Sequence, residues 1–385
     1  MKVLIIPSWY STDDNPINGI FFKEQAVALS EHQLDIRVAF PELISMKKFS
    51  KFGLHKLGYR VETKPVFTGR NIQYLYFPFN IAYSYGYFFR KYLLKIMEKF
   101  EKEGWIPDII HAHSALWGGW AAISLKGKYS VPLIITEHFS GFITGKLNKT
   151  QLSAAKIAFE HSDKIIAVGP TLQEKLSELV DSNKITLIPN IVDVENFTVE
   201  ERKRESSHFT FLSIGFLKYN KRMDLLIKAF HQAFSNQKHM LLNIIGDGEQ
   251  YSQLKQLIDD LNMNDQIKLL GRKSREDVKV YLNSCDAFVL ASEFETFGVS
   301  FIEALACGKP IIATDSGGPS MIVNESNGFL VPKNNEQELA NAMKKLTENY
   351  HSYHPSVIRN NCEQKFGKET ITKQIISEYK MQLES

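Results

Sequence analysis

Short apolar runs alternate with longer amphipathic stretches along almost the whole chain. In the first half the runs are VLIIP (3–7), LDIRVAF (34–40), IQYLYF (72–77), DIIHAH (108–113), PLIIT (132–136), KIIAV (164–168) and ITLIP (185–189). After residue 208 the same rhythm restarts with FTFLSIG (209–215), MLLNIIGDG (240–248), QIKLLG (266–271), AFVLAS (287–292), PIIAT (310–314) and GFLVP (328–332). Strand-length runs separated by helix-length segments predict parallel sheets with crossover helices, an α/β fold. Between the two series the pattern lapses into DVENFTVEERKRESSH (193–208), polar and charged, which reads as an interdomain linker. Two Rossmann-like units in succession are therefore expected. The division is an N-terminal domain over 1–195, a linker over 196–208, a C-terminal domain over 209–365, and a last helix over 366–385 returning to the first domain.

In open parallel sheets, ligands bind beyond the carboxyl ends of the strands, where loops lead into helices. In the second unit those loops carry glycine, charge or both: GFLKYNKRMD, GDGEQ, GRKSRED, SEFETFG and DSGGPSM. Glycine permits close backbone approach, Lys and Arg suit phosphate, and Glu suits sugar hydroxyls. SEFETFGVSFIEALACGKPIIAT places Glu295 and Glu303 eight residues apart around a Phe-Gly break. Val299, Ile302, Leu305 and Ala306 recur at helical spacing, so the order is strand, loop, helix. Glu295 then lies in the loop and Glu303 about a turn and a half into the helix. Glu295 has a second reading as a cap of that helix.

Composition narrows the class. Of 385 residues, 44% are apolar and 23% charged, enough to bury two cores, and the net charge of +3 does not point to nucleic acid. Charge is uneven, however: residues 40–104 hold twelve Lys or Arg against five Glu, a local +7. That stretch is also rich in rings, among them Phe49, Phe52, Tyr87, Phe88 and Tyr92, and Lys47, Lys48 and Lys51 lie close by. An anionic membrane surface suits it, and so does a core helix with solvated charges. Cys285, Cys307 and Cys362 have no metal-ligand spacing and fit a reducing cytoplasm. No apolar run approaches the ~18 residues of a spanning helix.

The segment SEFETFGVSFIEALACGKPIIATDSGGPS closely resembles the E-x7-E region of retaining glycosyltransferases of family 4, which have the GT-B fold of two Rossmann-like domains facing each other across a cleft. IPSWYSTDDNPINGIFFKEQAVAL, PDIIHAH, IITEHFSG, LIPNIVD, SIGFLKYNKRMDLLIKAF and NIIGDGEQYSQLKQLI follow in the family's order, and the first looks like the branch acting on bacterial surface polysaccharides. The resemblance implies transfer of a hexose or N-acetylhexosamine from a nucleotide-diphosphate sugar, with a UDP-sugar favoured. It implies a saccharide or lipid-linked saccharide acceptor, no cofactor and no metal. It further implies a cytoplasmic protein, peripheral on the inner face of the plasma membrane.

By the same resemblance Glu295 contacts the transferred sugar, Glu303 holds the ribose hydroxyls, Lys221 binds phosphate and His138 lies near sugar and acceptor. The backbone of Phe297, Gly298 and Val299 meets the diphosphate at a helix N-terminus, Gly19 approaches it from the first domain, and Gly215 belongs to the phosphate loop. Where many relatives have Gly-Arg-Leu, this chain has Gly215, Phe216 and Leu217, so Lys218 or Arg222 is expected to supply the missing cation. Arg222 stands where the family often has glycine, and Met321 where glutamate is common. His111 and His113, at a strand end, have both an acid-base and a structural reading. Two other activities fit the same motifs, a nucleotide-sugar epimerase of this fold and a non-catalytic nucleotide-sugar-binding protein.

Overall fold

A computed structural model describes residues 1–12, 18–45, 57–75, 82–200 and 208–384. The chain forms two compact units, one of residues 1–168, 172–191 and 371–385, the other of residues 169–171 and 192–370. Each is built on its own sheet.

The first sheet comprises β1 (Lys2–Pro7), β2 (Asp35–Ser45), β3 (Gly58–Glu62), β4 (Phe67–Leu75), β5 (Ile109–His113), β6 (Leu133–Glu137), β7 (Lys164–Ala167) and β8 (Ile185–Leu187), in the order 3-4-2-1-5-6-7-8. All pairs are parallel except β3 with β4. β3 has no counterpart in the apolar pattern. Its GYRVE is half-exposed and, among the described residues, pairs on one side only, so it carries none of the apolar run that marks a buried strand. The second sheet comprises β9 (Phe209–Ile214), β10 (Met240–Ile245), β11 (Ile267–Leu269), β12 (Ala287–Leu290), β13 (Ile311–Thr314) and β14 (Gly328–Val331), all parallel, in the order 11-10-9-12-13-14.

In both sheets the order in which the chain lays down its parallel strands reverses, between β1 and β5 and between β9 and β12. Neighbouring loops leave toward opposite faces at such a reversal, opening a crevice at the strands' carboxyl ends. The two reversals therefore fix where a site can form in each unit.

The described part of the expected linker belongs to the second unit. Val194 and Phe197 are buried there, and Arg359 donates to their carbonyl oxygens at 2.7 and 2.5 Å. Residues 201–207 lie outside the described residues. The helix Lys368–Glu384 carries Ile371, Ile375 and Tyr379 into the core of the first unit.

The basic, aromatic stretch divides its residues by the helical period. Along Ala82–Lys102, Phe89, Leu93, Ile96, Met97 and Phe100 are fully buried, while Tyr87, Lys91, Lys95 and Lys99 are exposed at four-residue intervals. Arg37 is held by Glu103 and faces the rings of Phe67, Phe100 and Trp105 at 4.3 to 5.0 Å. Phe49, Phe52, Lys47, Lys48 and Lys51 lie outside the described residues.

Candidate functional site

At the reversal of the second sheet, the loops after β9, β12 and β13 are stitched together through their backbones. The Glu293 amide donates to the Asn220 carbonyl at 2.8 Å, the Glu295 amide to Ser316 at 2.9 Å, and the Gly318 amide to Glu295 at 3.0 Å. Gly318 is required by this closeness, because a Cβ there would lie 2.3 Å from the Phe297 Cα.

Within this frame Lys221 Nζ donates to Glu295 Oε1 at 2.5 Å, and Ser292 Oγ donates to the same oxygen at 2.7 Å. The two charged side chains are only 19% and 11% exposed. Lys221 ends the short turn Tyr219–Lys221, and Arg222 follows with φ of 48°, so the turn presents the lysine just before the helix Met223–Phe234 begins. A left-handed Arg222 accounts for the glycine preferred at this position, since glycine adopts that backbone without steric cost. The Arg222 guanidinium is held by Asp224 at 3.2 and 3.3 Å and by Asn334. Lys218 Nζ lies 5.6 Å from the ring centre of Phe216, itself 54% exposed. Of the two candidate substitutes for the missing cation, Arg222 is thus tied to an acidic partner and Lys218 stands beside the position concerned.

Glu295 does not cap the following helix. The cap of Val299–Ala306 is Gly298, at φ 107°, and it brings no side-chain bond to the helix start. The first-turn amides of such a helix are donors without intrahelical partners. Phe297 contributes backbone alone, since its ring is buried against Phe366 with centroids 5.6 Å apart. Gly215 closes the strand end, its amide bonded to the Ile245 carbonyl at 3.0 Å.

Glu303 occupies the middle of that helix, 8% exposed, and accepts from Arg275 Nη1 at 3.1 Å. Burial pushes its carboxyl above the usual range, and the neighbouring guanidinium opposes the shift. Arg275 opens a helix capped by a reciprocal Ser274–Asp277 pair, and it faces the Phe197 ring at 4.8 Å.

In the first unit Gly19, at φ 73°, starts the helix Ile20–Ser30, and a Cβ there would lie 2.9 Å from the Trp9 carbonyl oxygen. His138 follows β6, with its Nε2 3.2 Å from His113 Nδ1 and its ring against those of Phe21 and Phe22, at 5.1 and 4.8 Å between centroids. Glu137, fully buried, accepts from the amides of Ala115, His138 and Phe139 at 2.8 Å each. Burial raises its pKa and these amides lower it. His111 is committed on both ring nitrogens, to Tyr379 and to Thr136 at 2.6 Å each, which favours its structural reading. Burial depresses all three histidines, His111 and His138 to about 3, so they are neutral at ordinary pH.

The structure thus brings Lys221, Glu295 and the Gly298 helix start into one cluster, places Glu303 on the same helix with Arg275, and puts Gly19 and His138 in the first unit. Sequence reasoning did not single out Ser292, Arg275, Glu137 or Gly318. All four lie inside motifs it quoted, but their roles come from contacts no spacing reveals.

Comparison with known proteins gives this arrangement its family. Residues 194–364 match the family described as Glycosyl transferases group 1, and residues 43–196 match Glycosyltransferase Family 4. An uncharacterized glycosyltransferase of Methanocaldococcus jannaschii is 34% identical over 250 residues, 65% of this chain and 67% of the relative. The chain belongs to glycosyltransferase family 4. A putative teichuronic acid biosynthesis glycosyltransferase of Bacillus subtilis is 26% identical, covering 89% of this family member and 88% of the relative. An Escherichia coli enzyme described as UDP-Gal:alpha-D-GlcNAc-diphosphoundecaprenol alpha-1,3-galactosyltransferase is 29% identical, covering 67% and 70%. Among solved structures, the sucrose-phosphate synthase of Thermosynechococcus elongatus superposes with a TM-score of 0.79 at 19% identity over 99% of both chains. Anabaena HepE in complex with UDP gives 0.75, also at 19% identity, over 99% of this chain and all of that one. The fold of this family member is GT-B, with two Rossmann-like domains.

Proposed function

We propose that this glycosyltransferase moves a hexose or N-acetylhexosamine from a UDP-sugar to a saccharide or lipid-linked saccharide, with retention of anomeric configuration, in the synthesis of a cell-surface polysaccharide. The observation that carries the reading is the Lys221–Glu295 pair beside the uncapped start of Val299–Ala306, at the sheet's reversal. Charge grows on the leaving diphosphate as the glycosidic bond breaks, and fixed donors aimed at that charge lower the barrier. An ammonium has three donors, so Lys221 keeps two while bonded to Glu295. Glu295 serves the transferred sugar, Lys218 adds positive charge to the phosphate loop, and His138 addresses sugar and acceptor. The UDP donor is favoured by the UDP-bound HepE structure and by the UDP-galactose donor in the E. coli relative's description. The lipid-linked acceptor and the polysaccharide product follow the descriptions of the two bacterial relatives.

The test is incubation with UDP-, GDP- and ADP-sugars, with and without saccharide acceptors, following nucleotide release and the product's anomeric configuration. Acceptor-dependent release of UDP with an unchanged anomer supports the proposal. A stereoisomer formed without acceptor would replace transfer by epimerisation, and binding without turnover would leave a binding protein. Activity should persist in excess EDTA, since the charge is met by side chains and amides; complete loss, restored by a divalent cation, would overturn the metal-free reading.

Glu303→Ala should weaken UDP binding by roughly 1.5 to 3 kcal/mol, the worth of a hydrogen bond to a charged acceptor. Calorimetric titration with UDP checks this, and an unchanged Kd would remove Glu303 from the ribose.

The exposed stripe Tyr87, Lys91, Lys95 and Lys99 supports a peripheral membrane role on the cytoplasmic leaflet. Each lysine near acidic headgroups contributes about 1 kcal/mol. The protein should sediment with acidic vesicles at low salt, and Lys91→Glu with Lys95→Glu should abolish this without altering UDP affinity. Equal sedimentation by wild type and variant would remove the stripe from any membrane contact.

A further inference from the structure

Arg275 holds one oxygen of Glu303 and leaves the other. Its Nη1 donates to Oε1 at 3.1 Å, while Oε2 has no protein partner among the described residues and is not closed off from solvent. A guanidinium that served only to neutralise a carboxylate would gain most from the two-pronged fork, which occupies both oxygens. Here the contact is single, and the arginine is placed to keep it so. Its guanidinium carbon lies 4.8 Å from the ring centre of the fully buried Phe197, and its backbone opens a helix whose start is fixed by the reciprocal Ser274–Asp277 cap. Glu303 belongs to another element, the helix Val299–Ala306. Its carboxylate is therefore pinned from outside its own helix, with one oxygen engaged and one open.

Charge sets what the open oxygen can do. An ionised carboxylate only accepts, and each oxygen has two lone pairs, so Oε2 can take both donors of a vicinal diol. A protonated carboxyl would present a hydrogen to those donors instead. Burial and the charge of Asp193 favour the protonated form, and Arg275 opposes both. Cys307, at the end of the same helix, is kept neutral, its thiol pushed up to about 12 by burial.

We propose that Arg275 is a positioning residue for the nucleotide, securing Oε1 of Glu303 so that Oε2 receives the 2′- and 3′-hydroxyls of the ribose. The contact with ribose rests on the function proposed above; the grip on Oε1 belongs to the protein alone.

Calorimetric titration of the full chain with UDP and with 2′,3′-dideoxy-UDP measures the diol contact directly. The wild type should bind UDP about tenfold or more tightly than the dideoxy compound, as expected for a hydrogen bond to a charged acceptor. In Arg275→Met that ratio should shrink to about threefold or less at pH 7.5, because the carboxylate loses both its anchor and its cation. In both proteins the ratio should fall as pH drops through the raised carboxyl pKa, and in the variant the fall should begin at higher pH. Both ligands carry the same diphosphate, so its own titration cancels from the ratio. A wild-type ratio and pH profile in Arg275→Met would overturn the proposal while leaving Glu303 on the ribose. Should the variant fail to fold, a crystal structure of the wild type with UDP still decides. The Arg275 bond to Oε1 should persist with ribose on Oε2, and a ribose seated on Oε1 with Arg275 displaced would refute it. Equal affinity of the wild type for the two nucleotides, or no binding of UDP, would instead count against the function proposed above and take this proposal with it.

Discussion

Lys221→Ala should reduce sugar transfer by about 10²- to 10³-fold, the usual effect of removing one preorganised donor from a developing negative charge. The loss should fall mainly on kcat, because the lysine's contribution grows as the diphosphate departs. Stability should fall as well. Glu295 is buried and would lose its cation, and breaking a buried pair from one side costs about 3 to 5 kcal/mol. The double replacement Lys221→Met with Glu295→Gln removes both charges, so it should recover much of the stability while remaining inactive. Nucleotide release from single and double variants, set beside their urea midpoints, separates the two effects. A Lys221→Ala protein within threefold of wild-type kcat would contradict the role assigned to this lysine.

Acidification should unfold the first unit through its three buried histidines. An unfolded histidine takes up a proton near pH 6.5, whereas His111 and His138 do so only at about 3 and His113 is also strongly depressed. Their folded pKa values lie below the unfolded ones, so the unfolded chain holds more protons throughout the interval. Stability is therefore complete above about pH 7 and is lost as pH falls through 6.5 toward 3. Each histidine costs up to about 1.4 kcal/mol per pH unit within that interval, so the three together cost up to ~4 kcal/mol per unit. Glu137, raised by burial in the same unit, acts in the opposite sense and offsets part of the loss near the acid end. Urea midpoints at pH 7.5, 6.5 and 5.5 should fall progressively, and a midpoint independent of pH over that range would refute the account.

The strands were legible because a buried parallel strand must be apolar on both faces, leaving a run in the sequence. β3 was not, because an edge strand with one ladder and an exposed surface needs no such run. Glu295 in a loop and Glu303 inside a helix followed from the spacing of Val299, Ile302 and Leu305, and the structure has the helix begin at Val299. What occupied those carboxylates did not follow. Lys221 is 74 residues from Glu295, and Arg275 is 28 from Glu303, so their contacts depend on which strands adjoin. The order 11-10-9-12-13-14, which puts the β9 and β12 loops side by side, is a tertiary outcome. The histidines show the same limit: their sequence positions suggested two readings, and only the hydrogen bonds distinguish a fully committed His111 from a half-committed His113.

The hydrogen bond from Tyr379 to His111 spans 268 residues and ties the helix Lys368–Glu384 to the first unit's sheet. Translation runs in one direction, so His111 leaves the ribosome long before its partner exists. In that interval the whole second unit, residues 192–370, is made. The first unit begun is thus the last to close, and the apolar surface that Ile371, Ile375 and Tyr379 cover stays open to water until the final helix is made.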